Sequence, residues 1–382
     1  MPAYHQLGHD SWNLVDELSG YAGVILSPVN DTPREVAARL TALRKGSHRA
    51  YDVILDPQFY QPASERGQLG TWPHFTNDVD TANLQDETWW DLRGEALVDV
   101  AREIGANAVC TPAMCARQFD NSYYTWTVDC ATRLLPKAGD MSILLTAVVR
   151  LSDVAQKGRA ETIASILTSV DIRRCYLVFY DDLTPRTQRT DLDVLRGAGR
   201  LIRLLEAAGT RVLIAFSGLD MIVWKGFGAS DVATGKYFNL RRFLPSRWEE
   251  TADEGRVVPY WTDAEFITWF REVDVKLLDS YRLLNRELAQ SNPHARLILE
   301  RIDAGEGEAW VGLAWRQYMY WFEEIERAIS RDAQEAVRIL ERADAAWGRL
   351  QSAKPKVLLF DRQNTGEWIR PWLNALATVD HG

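Results

Sequence analysis

The chain has 382 residues, a formal net charge of −9, 46% hydrophobic and 25% charged residues, the balance of an ordinary globular protein rather than a disordered or fibrous one. Its acidity argues against bulk, non-specific nucleic-acid binding, which draws affinity from Lys and Arg displacing counterions. No apolar run reaches the ~18 residues of a membrane span, no secretory signal opens the sequence, and Cys110, Cys115, Cys130 and Cys175 show no paired spacing; a cytoplasmic protein with reduced thiols and no membrane association is expected.

From residue 20 to about 235 short β-branched runs alternate with amphipathic stretches. Residues 20–28 read as a buried strand, and Asn30-Asp-Thr-Pro33 caps a helix running to about Lys45. Residues 51–56 form the second strand, and a long loop over 57–82 follows, rich in Pro, Gly, Gln and aromatics. A helix over 84–104 ends at Gly105, a C-cap glycine. Strands over 107–111, 141–149, 174–180 and 211–216 are interleaved with helices over about 121–135, 153–169 and 187–208. A short helix at 219–226 and a seventh strand at 229–235 complete the rhythm.

Strands apolar on both faces and separated by helices indicate a parallel sheet. Seven successive units predict closure as a (β/α)8 TIM-like barrel, and no G-x-G-x-x-G follows the first strand to suggest a dinucleotide fold. The eighth strand has two candidates, 256–260 and 356–360, and chain economy favours the first. This divides the chain into a barrel domain over 1–260 and a C-terminal helical region over 261–382 that packs on it, with helices at 262–290, 308–330 and 333–351. That region is rich in Trp, and its Trp310–Trp321 segment is apolar nearly all round, as a helix buried on more than one side or covering a partner protein would be.

Barrel chemistry gathers where strands end at the C-terminal mouth. Asp56 and Asp181 each follow an apolar strand directly, and two carboxylates facing each other across a mouth divide acid and base, or nucleophile and acid, roles. They are the catalytic candidates. Gln58, Arg117, Arg150, Tyr180, Ser217 and Asp220 lie at other strand ends as substrate-binding candidates. The small-residue run 226–235 is followed by Lys236, Asn239, Arg241 and Arg242, which suits an anion pocket at the seventh and eighth strands. Between residues 221 and 247 five basic residues stand against the single acid Asp231, the one segment suited to nucleic acid. Trp224 or Trp72 would stack on a ring.

The six histidines form no HxH, HxxE or HExxH pattern, so neither a metal nor another cofactor is indicated. The expected function is that of a metal-independent enzyme acting on an anionic ring-containing substrate such as a nucleotide, phosphosugar or modified base. Its reaction would be glycosidic-bond hydrolysis or transfer by carboxylate acid–base chemistry. The alternative is a non-catalytic binding subunit of a multiprotein assembly, one that handles nucleic acid, with the C-terminal helices as its protein-binding surface.

Overall fold

The computed structural model describes residues 3–18, 20–46, 51–76, 86–249, 257–306 and 310–377. Eight strands form a closed parallel barrel: β1 (Ala3–Gln6), β2 (Gly23–Leu26), β3 (Asp52–Leu55), β4 (Ala108–Cys110), β5 (Ser142–Arg150), β6 (Arg174–Tyr180), β7 (Arg211–Ile214) and β8 (Asp231–Thr234). The chain is a (β/α)8 barrel of the TIM type, as its sequence rhythm predicts.

The ring closes differently from the expectation. Residues 257–260 and 356–360 are irregular, and residue 256 lies outside the described residues. The missing strand is instead β1, which pairs with β2 through Tyr4 opposite Gly23 and with β8 through Tyr4 opposite Ala233. Four residues reading Ala-Tyr-His-Gln carry no apolar run, so hydrophobic patterning alone passes over them. Every strand after it therefore moves up one place in the ring.

The helices α1 (Trp12–Val15), α2 (Pro33–Gly46), α3 (Glu87–Ile104), α4 (Asn121–Ala138), α5 (Leu151–Val154), α6 (Arg159–Leu167), α7 (Leu192–Ala207) and α8 (Met221–Gly226) surround the sheet. Gly105 ends α3 at φ 80°, its N–H bonded to the carbonyls of Ala101 and Arg102, the left-handed cap expected of it. The described part of the loop after β3 carries a single 3₁₀ turn, Leu69–Thr71; residues 77–82 lie outside the described residues.

The expected helix at 262–290 begins as a hairpin. β9 (Trp261–Asp263) pairs antiparallel with β10 (Thr268–Phe270). Aromatic and β-branched residues favour strand here, and the Asp263 carboxylate fastens the turn by accepting the N–H groups of Glu265 and Phe266 at 3.0 and 2.8 Å. Then come α9 (Glu272–Ser280), α10 (Arg286–Gln290), α11 (Pro293–Ala304), α12 (Val311–Arg331), α13 (Gln334–Ser352) and α14 (Ile369–Ala377).

Helix α12 covers the seam between β8 and β1. Tyr318 and Thr234 share a hydroxyl hydrogen bond of 2.6 Å, and Tyr21 donates to the Met319 carbonyl at 2.9 Å. Gln317 bonds both backbone groups of Thr262, tying the hairpin to the same helix. Tyr318, Met319 and Phe322 are fully buried, which accounts for a segment apolar nearly all round. The abundance of Trp has the same origin: Trp72, Trp224, Trp248, Trp261, Trp310 and Trp372 are all buried filling between barrel, hairpin and helices.

Close approach of β2 and β3 depends on Gly23. A Cβ there would stand 1.9 Å from the Asp52 carbonyl oxygen, a backbone atom that cannot yield without opening the ladder. Gly23→Ala is expected to destabilise the fold by about 2–3 kcal/mol, read as a lower urea midpoint. A variant as stable as the parent would contradict this account of the β2–β3 contact.

Candidate functional site

The barrel lumen is polar, and three strands make it so. At its N-terminal end, Tyr4 of β1 and Arg174 of β6 donate to the Asp52 carboxylate of β3 at 2.8 and 2.7 Å. These strands are not neighbours in the ring, so the bonds cross the lumen. Because strand side chains alternate with period two, the same strands deliver a second inward layer above the first. Gln6 stands two residues after Tyr4, Tyr176 two after Arg174, and Asp56 four after Asp52.

This upper layer surrounds the Asp56 carboxyl. It accepts hydrogen bonds from the Gln58 N–H at 3.0 Å, the Tyr60 hydroxyl at 3.0 Å and the Tyr176 hydroxyl at 3.3 Å. The Gln6 amide donates to the Tyr176 hydroxyl at 3.1 Å and accepts the Phe216 N–H at 3.1 Å. Asp56 is 1% exposed. Burial pushes its pKa up to about 6, against the three hydrogen bonds and the nearby charge of Arg247, which favour the ionised form. Two non-glycine residues beside it occupy the left-handed region, Gln58 at φ 57° and Phe216 at φ 52°, a strain that persists only where the surroundings enforce it. Gln58 is held there by Ser27, whose hydroxyl accepts its amide at 3.0 Å, and by the Val29 N–H, which donates to its side-chain oxygen at 3.1 Å.

Tyr60, Phe216, Phe243 and Trp248 pack together over this layer, with Tyr60 and Trp248 ring centroids 4.8 Å apart and Tyr60 and Phe243 4.9 Å apart. Beside that aromatic cover a cleft of about 790 Å³ opens on the same face, lined among others by His9, Arg66, Tyr237, Asn239, Ser246 and Arg247. No Asp or Glu appears among its described lining residues. Arg247 links cleft to lumen: its guanidinium donates to Ser27 Oγ at 3.3 Å, its Nε has no partner among the described residues, and burial lowers its pKa to about 10. The Asn239 side-chain oxygen is likewise buried without a partner.

The other candidates are placed elsewhere. Asp181 and Asp56 belong to separate networks, with no described side chain bonded to both. Asp181 accepts Arg189 Nε at 2.6 Å, Arg242 at 3.5 Å and the Leu183 N–H at 3.2 Å. Asp220 completes this cluster by pairing with Arg189 and accepting the Gly218 N–H. Asp181 is partly buried and Asp220 fully so, and both are neutralised by arginines, so Asp181 and Asp56 stand in different surroundings.

Lys236, Arg241 and Arg242 turn inward, because each finds a partner in the packed interior. The Lys236 ammonium donates to the Asp10 carbonyl at 2.8 Å and lies 4.4 Å from the Trp315 ring, with burial lowering its pKa to about 8. Arg241 sits 3.4 Å over the Tyr318 ring and donates to the Gly235 and Lys236 carbonyls. Trp224 is buried against Phe179 with Arg189 over its face, and Trp72 is buried with its N–H on the Asp31 carbonyl; neither ring is open to a ligand. Ser217 is buried and donates to the Ile214 carbonyl.

Arg117 and Arg150 are brought together in a separate polar groove of about 540 Å³ with Asp120, Asp153 and Arg159. Tyr180 lies under Arg150, 5.4 Å from its guanidinium, and donates to Asp182. Sequence reasoning passed over Gln6, Ser27, Tyr60 and Tyr176, and met Arg247 only as one of the five basic residues of the 221–247 segment. For Tyr176 the signal was present: two residues past Arg174, in phase with the inward face of β6. Among the described residues no three His, Cys, Asp or Glu side chains gather as metal ligands, and no helix is long and apolar enough to cross a membrane.

No family model matches the chain, and no curated protein does. Among solved structures it is similar to the CutC protein from Streptococcus agalactiae, at 13% identity over 64% of this chain and 100% of that one, TM-score 0.38. A dihydrodipicolinate synthase from Bacillus clausii matches at 10% identity over 99% of this chain and 97% of its own, TM-score 0.36. A mandelate racemase/muconate lactonizing enzyme from a marine actinobacterium matches at 12% identity over 67% and 59%, TM-score 0.34. Likeness at these identities concerns the fold alone.

The Asp56 carboxyl carries a stability signature. With its folded pKa raised from 3.8 to about 6, the folded state binds the proton more tightly. Its contribution is therefore fully present below pH ~4 and is lost as pH rises through about 6, a change on the order of 3 kcal/mol. Asp56→Asn removes the titrating group, so the variant should exceed the parent in stability at pH 7.5 and lose most of that advantage by pH 4 in urea unfolding. A difference independent of pH would contradict the placement.

Proposed function

We propose that this barrel binds an anionic, ring-containing small molecule in the Arg66–Arg247 cleft, and that Asp56 exchanges a proton with it as general acid and base. The reaction class this reading favours is hydrolysis or transfer at a glycosidic bond. The observation that carries it is a single carboxyl with a pKa of about 6, fixed by Tyr60 and Tyr176 in the lumen and connected through Gln58 and Ser27 to a guanidinium facing a cleft with no acid among its described lining residues. A carboxyl of that pKa is near the optimum for proton transfer around neutral pH. Arg247 and Arg66 would hold a phosphate or carboxylate, and Tyr237, which lines the cleft, would supply the ring contact that the buried Trp224 and Trp72 cannot.

In that reaction the protonated Asp56 would donate to the leaving ring atom as the glycosidic bond breaks. The resulting carboxylate would take a proton from the water or hydroxyl that adds to the sugar, which restores the acid. One carboxyl performing both transfers replaces the carboxylate pair expected from the sequence.

A second reading has its own support. The aromatic cover over Asp56 separates the carboxyl from the cleft, as in a barrel that binds its ligand without transforming it. Nucleoside monophosphates and ribose 5-phosphate, tested by thermal shift and by chromatography for released base, separate the two. The enzyme reading expects a raised Tm that Arg247→Gln abolishes, base release lowered at least ~100-fold by Asp56→Asn, and a rate that falls as pH rises above about 6. Binding without turnover favours the binding subunit, and no Tm shift with any phosphate-bearing compound overturns both.

A further inference from the structure

Residues 356–360, one of the two sequence candidates for the missing strand, are left over once β1 closes the ring. Burial along them alternates: Val357 is buried, Leu358 is 71% exposed, Leu359 is partly buried against the core and Phe360 is 68% exposed. That is the two-residue period of an extended chain with one face on the protein. The Phe360 and Asp361 N–H groups donate to the buried Asp274 carboxylate at 2.6 and 3.4 Å. These bonds fix the run beside the first turn of α9, where Val273 is another exposed apolar side chain.

The backbone of this run is unused. Among the described residues no hydrogen bond reaches an N–H or carbonyl of Lys356, Val357, Leu358 or Leu359. Unpaired backbone groups beside exposed apolar side chains are a template for a further strand, and Leu358 and Phe360 are the most exposed large hydrophobic residues described. Charge selects what would pair there. Lys354, Lys356 and Arg362 flank the run, exposed and without an ion-pair partner among the described residues, in a chain whose net charge is −9. The one acid within 354–362, Asp361, is paired with Arg186. A second copy is disfavoured by the same charges: antiparallel pairing centred on Leu358 would bring the lysines of each copy to the Arg362 end of the other, and like charges across a ladder repel.

We infer that residues 356–360 are a docking edge for an extended segment of a partner protein, one with an apolar centre and Asp or Glu at both ends. Main-chain hydrogen bonds to the run would supply the affinity. Leu358 and Phe360 would cover the partner's apolar side chains, and Lys354, Lys356 and Arg362 would meet its acids. The inference is independent of the reading of the Arg247 cleft.

Fluorescence anisotropy of the amidated peptide Glu-Thr-Val-Thr-Val-Thr-Glu, carrying an N-terminal fluorescein, tests this on the full chain. Saturable binding is expected, weakened at least about tenfold when both Glu are replaced by Lys. Leu358→Ser and Lys356→Glu, both at exposed positions, should each weaken it about tenfold, with circular dichroism unchanged. N-methylation of alternate peptide residues separates strand pairing from adhesion to an apolar patch. One of the two alternating patterns should abolish binding and the other leave it, because only alternate residues turn their N–H groups to the docking edge. No saturable binding, equal affinity for the acidic and basic peptides, indifference to both methylation patterns, or a dimer in sedimentation equilibrium that Leu358→Ser dissolves would each overturn the inference.

Discussion

Everything distinctive about this barrel follows from polar side chains that meet inside its lumen. Three strands that never touch one another, β1, β3 and β6, are joined twice across the interior, first by Tyr4, Asp52 and Arg174 and then by Gln6, Asp56 and Tyr176. An apolar lumen of branched side chains would be the usual filling. Here the lower layer has an ion pair to neutralise its carboxylate, whereas the upper layer offers Asp56 hydroxyls and one backbone N–H. The lower carboxylate is structural for that reason. The upper one keeps a proton within reach of neutral pH because nothing cationic is bonded to it.

The same contrast separates the remaining charged residues into those the fold consumes and those it leaves available. Arg241 and Lys236 lie on aromatic rings of α12 and its surroundings, so the basic run after β8 fastens the C-terminal half to the seam of the barrel. Asp181, Asp220, Arg189 and Arg242 neutralise one another beside the loop after β6. At the mouth Arg247 keeps an Nε and Asn239 an oxygen with no partner among the described residues, beside a cleft whose described lining holds no acid.

Much of the architecture was legible in the chain, because seven of the eight strands are apolar runs bounded by turn residues, and parallel strands buried on both faces must read that way. The eighth was not legible: Ala3–Gln6 carries Tyr4 and Gln6, whose polarity belongs to the lumen it helps to build. Asp56 could be found because it ends an apolar run and is held by rigid backbone. Its partners could not, since Tyr60, Tyr176 and Gln6 become neighbours only through closure of the ring. The basic residues after β8 misled for a related reason. Charge is visible in a sequence, but the ring face or carbonyl that absorbs it is not.

The account stands on the state of one carboxyl. Carbon-13 NMR titration of the Asp56 carboxyl, assigned by comparison with Asp56→Asn, reads it directly. A midpoint near 6 that moves upward in Tyr60→Phe, where a hydrogen bond to the ionised form is removed, is the result expected. A midpoint near that of a solvated aspartate, unmoved by loss of the Tyr60 hydroxyl, would contradict it.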